Sequence, residues 1–153
     1  AVSNFQLRDN TSGSKIDSAA RKYLQEIGLN YSHGTGHGVG YFLNVHEGPQ
    51  AISRNNKIKF KEGMVVSNEP GYYEKNKFGI RIENIIYVKK ENNKKFFENL
   101  TLAPIDKDLI QKNILNAKEK NWLNSYHKKV YNKLKDRMNK FEISDLKKAC
   151  SAI

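Results

Sequence analysis

The sequence predicts an α+β fold, in which one helix precedes a strand-rich middle region and further helices follow it. Three observations predict this order. Apolar residues recur at helical spacing within residues 14–28, short β-rich runs alternate with glycine-containing turns within residues 31–102, and helical spacing returns after Pro104. Runs of strands followed by runs of helices are typical of α+β folds.

The first helix is predicted over residues 14–28. Ser14 is a suitable N-cap, Asp17 falls in the first turn, and Gly28 is a suitable stop. The apolar stripe of this helix comprises Ile16, Ala19, Ala20, Tyr23, Leu24 and Ile27.

Strands are predicted at residues 64–67, 80–88 and 96–102. In the second of these, a period of two would place Arg81 and Glu83 on one face and Ile80 and Ile82 on the other. Residues 91–95 are polar and are predicted to form a hairpin-like connection.

The C-terminal third is predicted to be helical. A short helix is expected around Leu109 and Ile110, and a longer one over about residues 117–140. The apolar stripe of the longer helix comprises Trp122, Leu123, Tyr126, Val130, Leu134 and Met138. Its lysine-rich face is predicted to be solvated, with His127 as a surface residue.

Composition excludes a membrane protein and a small secreted protein held together by disulfides. The chain has 153 residues, a mean hydropathy of −0.75 and no apolar run near the roughly 18 residues that a membrane span needs. Its lone cysteine, Cys150, excludes an internal disulfide framework and suits a reducing compartment. With no export signal at the start of the sequence, we expect a cytoplasmic protein with no membrane partner.

The net charge of +11 raises the possibility of nucleic-acid binding. The bases are 22 lysines and 5 arginines, whereas base and phosphate recognition favours arginine forks. Asparagine is also abundant, with 18 residues, so a Lys/Asn compositional bias explains the charge without a partner. We therefore expect no nucleic-acid partner.

The chemically distinctive residues lie in the middle third. His33, His37 and His46 fall within fourteen residues in a glycine-rich context, and Glu69 and Glu83 lie in strand-like, apolar surroundings. Imidazole and carboxylate groups together suit Mn²⁺, Zn²⁺, Co²⁺ or Fe²⁺. Structural roles stay open at this point, because Glu83 could pair with Arg81 and Glu69 could be a turn carboxylate.

Four blocks of the sequence carry a resemblance: residues 33–40 (HGTGHGVG), 45–49 (VHEGP), 68–73 (NEPGYY) and 79–84 (GIRIEN). They resemble consecutive blocks of the pita-bread metallopeptidases, which include prolidase, creatinase and methionine aminopeptidase. Within that group they resemble aminopeptidase P, the Xaa-Pro aminopeptidase. Residues 100–105 and 122–127 resemble the C-terminal extension of the eukaryotic cytosolic form.

This resemblance implies the C-terminal half of a pita-bread (creatinase/aminopeptidase) fold, a curved antiparallel sheet with flanking helices, plus a helical extension. Residues 1–104 would be the C-terminal portion of the catalytic domain and residues 105–153 the extension. The implied reaction is hydrolysis of the bond between an N-terminal residue and a following proline, by a hydroxide shared between two metal ions.

The resemblance also implies residue roles. His37 and Glu69 would bind one metal ion, and Glu83 would bridge two. His33 and His46 would line the substrate site and handle charge, Glu69 would act as general base, and Arg81 would hold the metal-binding carboxylates. Two divalent ions are implied, with Mn²⁺ expected and Zn²⁺ or Co²⁺ possible.

The family supplies two further ligands, a pair of strand-borne aspartates upstream of the histidine block. Asp9 and Asp17 do not match that pair in spacing or setting. We therefore expect this chain to be part of a longer enzyme and inactive alone, with peptides carrying proline in second position as substrates. A homodimer of the full-length enzyme through the C-terminal region is expected. Prolidase activity and a non-catalytic interaction module are the alternatives.

Overall fold

The computed structural model describes residues 1–42 and 44–153. It divides into two compact units, Ala1–Thr101 and Leu102–Ile153. Helices combined with antiparallel strands confirm the predicted α+β class. The functional division after residue 104 stays a prediction.

The first unit contains helix α1 (Gly13–Gln25), and its strands carry the candidate site. The strands are β1 (Gly36–His37), β2 (Ala51–Ile52), β3 (Val65–Asn68), β4 (Gly71–Glu74), β5 (Phe78–Arg81), β6 (Asn84–Glu91) and β7 (Lys94–Asn99). All of the pairings are antiparallel, in the order β3-β6-β7 for the main sheet and with β1-β2 and β4-β5 as separate pairs.

The main sheet packs its apolar face into one core. Asn92 and Asn93 both have positive φ, the conformation of a type I′ hairpin turn, so the predicted connection between β6 and β7 is a tight turn. The core cluster consists of Val2, Leu7, Ile16, Ile52, Phe60, Val66, Ile86, Val88 and Phe97.

Helix α1 differs from its prediction in its bounds and in its buried face, and it ends at Gln25 rather than at Gly28. Its N-cap is Ser12 rather than Ser14, and Asp17 lies beyond the first turn. The buried face includes charged Asp17 and Arg21, whereas Tyr23 and Ile27 are 67% and 69% exposed. The apolar stripe therefore misidentifies the buried face, because a buried ion pair occupies part of it.

The single strand predicted over residues 80–88 is wrong. Strand β5 ends at Arg81, β6 starts at Asn84, and the two residues between them lie outside both strands. Strand β5 pairs with β4, whereas β6 pairs with β3 and β7, so the chain changes partners at this point. The predicted faces do not hold across the break, and Ile80 and Ile82 are about half exposed.

The second unit contains helices α2 (Ala117–Leu134) and α3 (Lys140–Ala149), joined by a 3-10 turn at Lys135–Arg137. Asn116 and Asn139 start the two helices with capping boxes. The predicted helix over residues 117–140 is therefore wrong beyond Leu134. Residues 107–110 form a turn rather than a short helix. In the part of the chain that the structure describes, every helix is too short or too polar to cross a membrane.

His127 is buried, which contradicts its predicted surface position. The buried residues of α2 are Leu123, Tyr126, His127 and Val130, a spacing that defines one helical face. The Ile105 N–H donates to His127 Nε2 at 3.1 Å. Burial, followed by the positive charge of Lys107, lowers the pKa of His127. The sequence analysis defined the buried face of α2 by apolar residues alone, so it did not place His127 on that face.

Candidate metal centre

Three predicted ligands converge in the first unit. His37 lies on β1, Glu69 directly follows β3, and Glu83 lies between β5 and β6. One ligand atom from each residue lies within 4.8 Å of the other two. His37 Nε2 and Glu69 Oε1 are 3.3 Å apart. The structure thus brings together residues that are 46 positions apart in the sequence.

Glycines allow the histidine segment to approach its neighbours closely. A Cβ atom on Gly36 would lie 1.9 Å from the Ser67 carbonyl oxygen, and one on Gly38 would lie 1.9 Å from the Glu47 carbonyl oxygen. Gly38 also forms an antiparallel bridge with Val66. A side chain at Gly36 would push the segment that carries His37 away from the strand that leads to Glu69, and one at Gly38 would push it away from Glu47.

The imidazole of His37 is oriented by its own backbone. His37 Nδ1 lies 3.0 Å from the Gly38 carbonyl oxygen, which can only accept a hydrogen bond. Nδ1 therefore carries the proton, and the lone pair of Nε2 faces the carboxylates. The His37 N–H donates to Ser67 Oγ at 2.9 Å, which fixes the backbone as well. A ligating histidine in proteins is commonly held in this way.

Glu69 is 9% exposed, and both of its carboxylate oxygens have partners. Ser67 Oγ–H donates to Oε1 at 2.8 Å, and Arg81 Nη1 lies 3.2 Å from Oε2. The Glu69 N–H donates to the Thr35 carbonyl at 2.8 Å. These partners offset the cost of burying a carboxylate and fix its position.

Arg81 lies beside both carboxylates. Its Nη1 atom is 4.0 Å from Glu83 Oε2, longer than its distance to Glu69. A hydrogen bond to Tyr73 raises the pKa of Arg81, and the two carboxylates act in the same direction. The alternative in which Glu83 only forms an ion pair with Arg81 is therefore incomplete, because Arg81 also contacts Glu69 and Tyr73.

Tyr73 links His33 to Arg81, and the sequence analysis gave it no role. Its hydroxyl lies 2.9 Å from His33 Nε2 and accepts from Arg81 Nε at 2.9 Å. His33 Nδ1 lies 2.7 Å from the Gly34 carbonyl, so Nδ1 carries the proton and Nε2 accepts from Tyr73. No sequence signal points to Tyr73, because its contacts depend on the pairing of β4 with β5.

The His46 ring lies beside the His37 ring. The centroids of their rings are 4.1 Å apart, and His46 is exposed. His46 thus lies next to a predicted ligand, and His33 is linked through Tyr73 to Arg81. Their contacts with substrate stay a prediction.

Asp9 and Asp17 have partners elsewhere. Asp9 Oδ1 lies 2.8 Å from Lys95 Nζ, and Asp17 Oδ2 lies 2.8 Å from Arg21 Nε. Among residues 1–42 and 44–153, the only detected group of three metal-ligand side chains is His37, Glu69 and Glu83. One imidazole nitrogen and two carboxylates, with the Nε2 lone pair facing the carboxylates, fit a divalent first-row metal ion.

Comparison with known proteins gives the family. The model of metallopeptidase family M24 matches residues 2–90, which carry the whole cluster. The chain belongs to metallopeptidase family M24. A second model, the C-terminal region of peptidase M24, matches residues 96–153.

This chain is 51% identical over 137 residues to a protein of Botryotinia fuckeliana named "Probable Xaa-Pro aminopeptidase P". The match covers 82% of this chain and 21% of that relative. The structure of this chain also resembles the crystal structure of an X-prolyl aminopeptidase from Caenorhabditis elegans, described as a cytosolic enzyme with a di-nuclear active site. That match has a TM-score of 0.87 and 38% identity over 99% of this chain and 26% of the other.

A prolidase from Pyrococcus horikoshii matches with a TM-score of 0.56 and 34% identity, over 65% of this chain and 27% of the other. The whole-chain match to the C. elegans structure and the M24 models confirm the fold class implied by the resemblance, the C-terminal part of a pita-bread fold with its extension. The chain spans between a fifth and about a quarter of the length of these relatives.

Proposed function

We propose that this chain is the metal-binding part of a Xaa-Pro aminopeptidase, a hydrolase that removes an N-terminal residue preceding proline. The observation that carries the proposal is the convergence of His37, Glu69 and Glu83 in an M24 chain. Relatives named Xaa-Pro aminopeptidase, at about half identity, favour this specificity over prolidase. The more extensive structural match to an X-prolyl aminopeptidase supports the same choice.

His37 Nε2 and Glu69 would hold one metal ion, and Glu83 would bridge it to a second. A bound divalent pair would acidify water and polarise the scissile carbonyl. A relative described as di-nuclear supports two ions. We propose Mn²⁺ as the metal, with Zn²⁺ and Co²⁺ as the alternatives, because the donor set suits all three.

The side chains around the proposed ligands hold those ligands in position and move charge. Ser67 and Arg81 hold Glu69, whose carboxylate would act as general base and take a proton from the attacking water. Arg81 donates to Tyr73, and Tyr73 donates to His33 Nε2. We propose that this chain of hydrogen bonds stabilises charge at the peptide carbonyl, and that His46 lines the other side of the substrate.

The complete activity requires more than these residues. We propose that two further acidic ligands come from a segment upstream of Ala1 in a longer protein, so that this chain alone turns over no substrate. A cytoplasmic location is proposed because the C. elegans relative is described as cytosolic. Homodimerisation through the C-terminal unit is proposed because Leu109, Ile114 and Phe141 are 70–87% exposed there.

The test uses a protein extended upstream through the proposed aspartates, loaded with Mn²⁺. Tripeptides with proline in second position should be cleaved after the first residue, while matched peptides with alanine in that position should be cleaved far more slowly. Cleavage of Xaa-Pro dipeptides alone would instead identify a prolidase. A protein that binds no metal and cleaves none of these peptides would contradict the proposal and favour an interaction module.

A further inference from the structure

A buried ion pair in α1 contains none of the proposed metal ligands. Asp17 and Arg21 are 1% and 3% exposed, and Asp17 Oδ2 lies 2.8 Å from Arg21 Nε. Burying two charges costs free energy that their mutual attraction offsets only with good geometry and additional hydrogen bonds. The other partners of the pair therefore indicate what it does.

Arg21 uses its remaining donors on the segment that leads to the first histidine. Its Nη1 donates to the Asn30 side chain at 2.8 Å and to the Tyr31 carbonyl at 2.7 Å. Its Nη2 donates to the His33 carbonyl at 2.6 Å. The guanidinium also lies over the Tyr31 ring, 4.0 Å from its centroid. One planar group thus fixes the backbone on which the His33 imidazole is carried.

Asp17 fixes the other end of the same segment. Thr35 Oγ1–H donates to Asp17 Oδ1 at 2.6 Å, and Thr35 is fully buried. Since the Thr35 hydroxyl proton is used in this bond, its oxygen accepts from the Tyr31 hydroxyl. The Thr35 carbonyl in turn accepts from the Glu69 N–H at 2.8 Å. Two hydrogen bonds therefore connect Asp17 to the backbone of a proposed metal ligand.

We propose that the Asp17–Arg21 pair is a positioning device for the metal centre, which fixes the location of His33 relative to Glu69. The inference rests on the proposed function for the roles of these two residues. Arg21 acts through the His33 carbonyl, and Asp17 acts through Thr35 on Glu69. Both are positioning residues, since their side chains contact the backbone and side chains that carry the site.

Two substitutions test the pair with limited disturbance of packing. Thr35→Val keeps the shape and the backbone carbonyl but removes the hydrogen bond to Asp17. Arg21→Lys keeps the charge but loses the planar fork. The matched control is Glu26→Gln, which removes the exposed (i, i+4) pair with Lys22 on the same helix.

The first measurement is the Mn²⁺ affinity of the upstream-extended protein by calorimetry, which needs no activity. Thr35→Val should weaken binding about 10-fold, the lower end for loss of a partner that orients a ligand. Glu26→Gln should leave the affinity unchanged. Unchanged affinity in folded Thr35→Val would overturn the inference, even if its melting temperature falls. A normal Mn²⁺ affinity without peptidase activity in the parent protein would contradict the proposed function alone.

The second measurement is a double-mutant cycle on kcat/KM for a tripeptide with proline in second position. If Arg21 acts through His33, Arg21→Lys should lower kcat/KM about 10-fold in the parent but cause little further loss in His33→Ala. Equal losses in both backgrounds, or no loss in the folded Arg21→Lys variant of the parent, would overturn the role assigned to Arg21. Circular dichroism at the assay temperature establishes that each variant is folded.

Discussion

His37 Nε2 lies 3.3 Å from Glu69 Oε1, although β1, which carries His37, and β3, which Glu69 directly follows, belong to different sheets. Ser67 connects them, since its hydroxyl accepts from the His37 N–H and donates to the Glu69 carboxylate. The two groups are thus held in position by the protein itself. Such preorganisation is expected of a site that binds a metal ion rather than of a chance surface pair.

Glu83→Gln should weaken metal binding in the upstream-extended protein. The change removes a charged ligand oxygen and keeps the size of the side chain, so we expect a loss of Mn²⁺ affinity of at least about 10-fold, together with loss of peptide hydrolysis. Calorimetry and metal analysis measure the effect. The control is Glu91→Gln, whose carboxylate pairs with Lys89 at the end of β6. Equal affinity in the two variants would remove Glu83 from the ligand set.

Ser67→Ala should also lower metal affinity, although Ser67 is not itself a proposed ligand. The substitution removes the hydrogen bonds to His37 and Glu69, so both ligands lose a fixed partner, and we expect an affinity about 10-fold weaker. Ser18→Ala is the control, because the Ser18 hydroxyl donates to a carbonyl on the exposed side of α1. An affinity equal to that of the parent would show that Ser67 contributes only to folding.

Tyr73→Phe should impair catalysis while leaving metal content unchanged. The ring remains, but the hydroxyl between His33 and Arg81 is lost, so the proposed charge-stabilising chain is broken. We expect kcat/KM to fall about 10-fold or more, as for loss of an orienting partner. Tyr72→Phe on the adjacent position of β4 is the control. A variant with full kcat/KM would exclude a catalytic contribution from the phenol.

The lowered pKa of His127 predicts that the free energy of unfolding depends on pH. Because its pKa is lowered in the folded chain, the unfolded chain binds the proton at a higher pH, and its usual pKa is near 6.5. Its contribution to the free energy of unfolding is therefore complete above about pH 6.5 and is lost as the pH falls through the folded pKa. Thermal melting between about pH 7.5 and pH 5 measures this loss.

His127→Gln keeps a hydrogen-bond acceptor for the Ile105 N–H but does not titrate. The melting temperature of this variant should fall less between neutral and acidic pH than that of the parent. An identical pH dependence in both proteins would contradict the assignment of this effect to His127.

Much of the candidate site could be predicted from the sequence, because its proposed ligands lie in short segments with distinctive composition. His37, Glu69 and Glu83 converge as the resemblance implies. Tyr73 was missed because its role depends on the pairing of β4 with β5, which the sequence does not reveal. The Asp17–Arg21 pair was missed because a helical stripe of apolar residues gives no indication that buried positions carry charges.

The same limits apply to the fold. The isoleucine-rich run over residues 80–88 predicts one strand, but it carries no information about the change of partner between β5 and β6. That change places Glu83 outside both strands and beside Arg81. The end of α2 was also missed, because the lysine-rich segment continues the helical spacing beyond the true boundary at Leu134.

The most direct test of the metal centre is anomalous diffraction at the manganese edge, from crystals of the upstream-extended protein loaded with Mn²⁺. The account predicts an anomalous peak at bonding distance from His37 Nε2 and from a carboxylate oxygen of Glu69, with Glu83 contacting the same peak and a second one. Peaks confined to other parts of the protein, with His37 Nε2 still facing Glu69 and no ion between them, would contradict it.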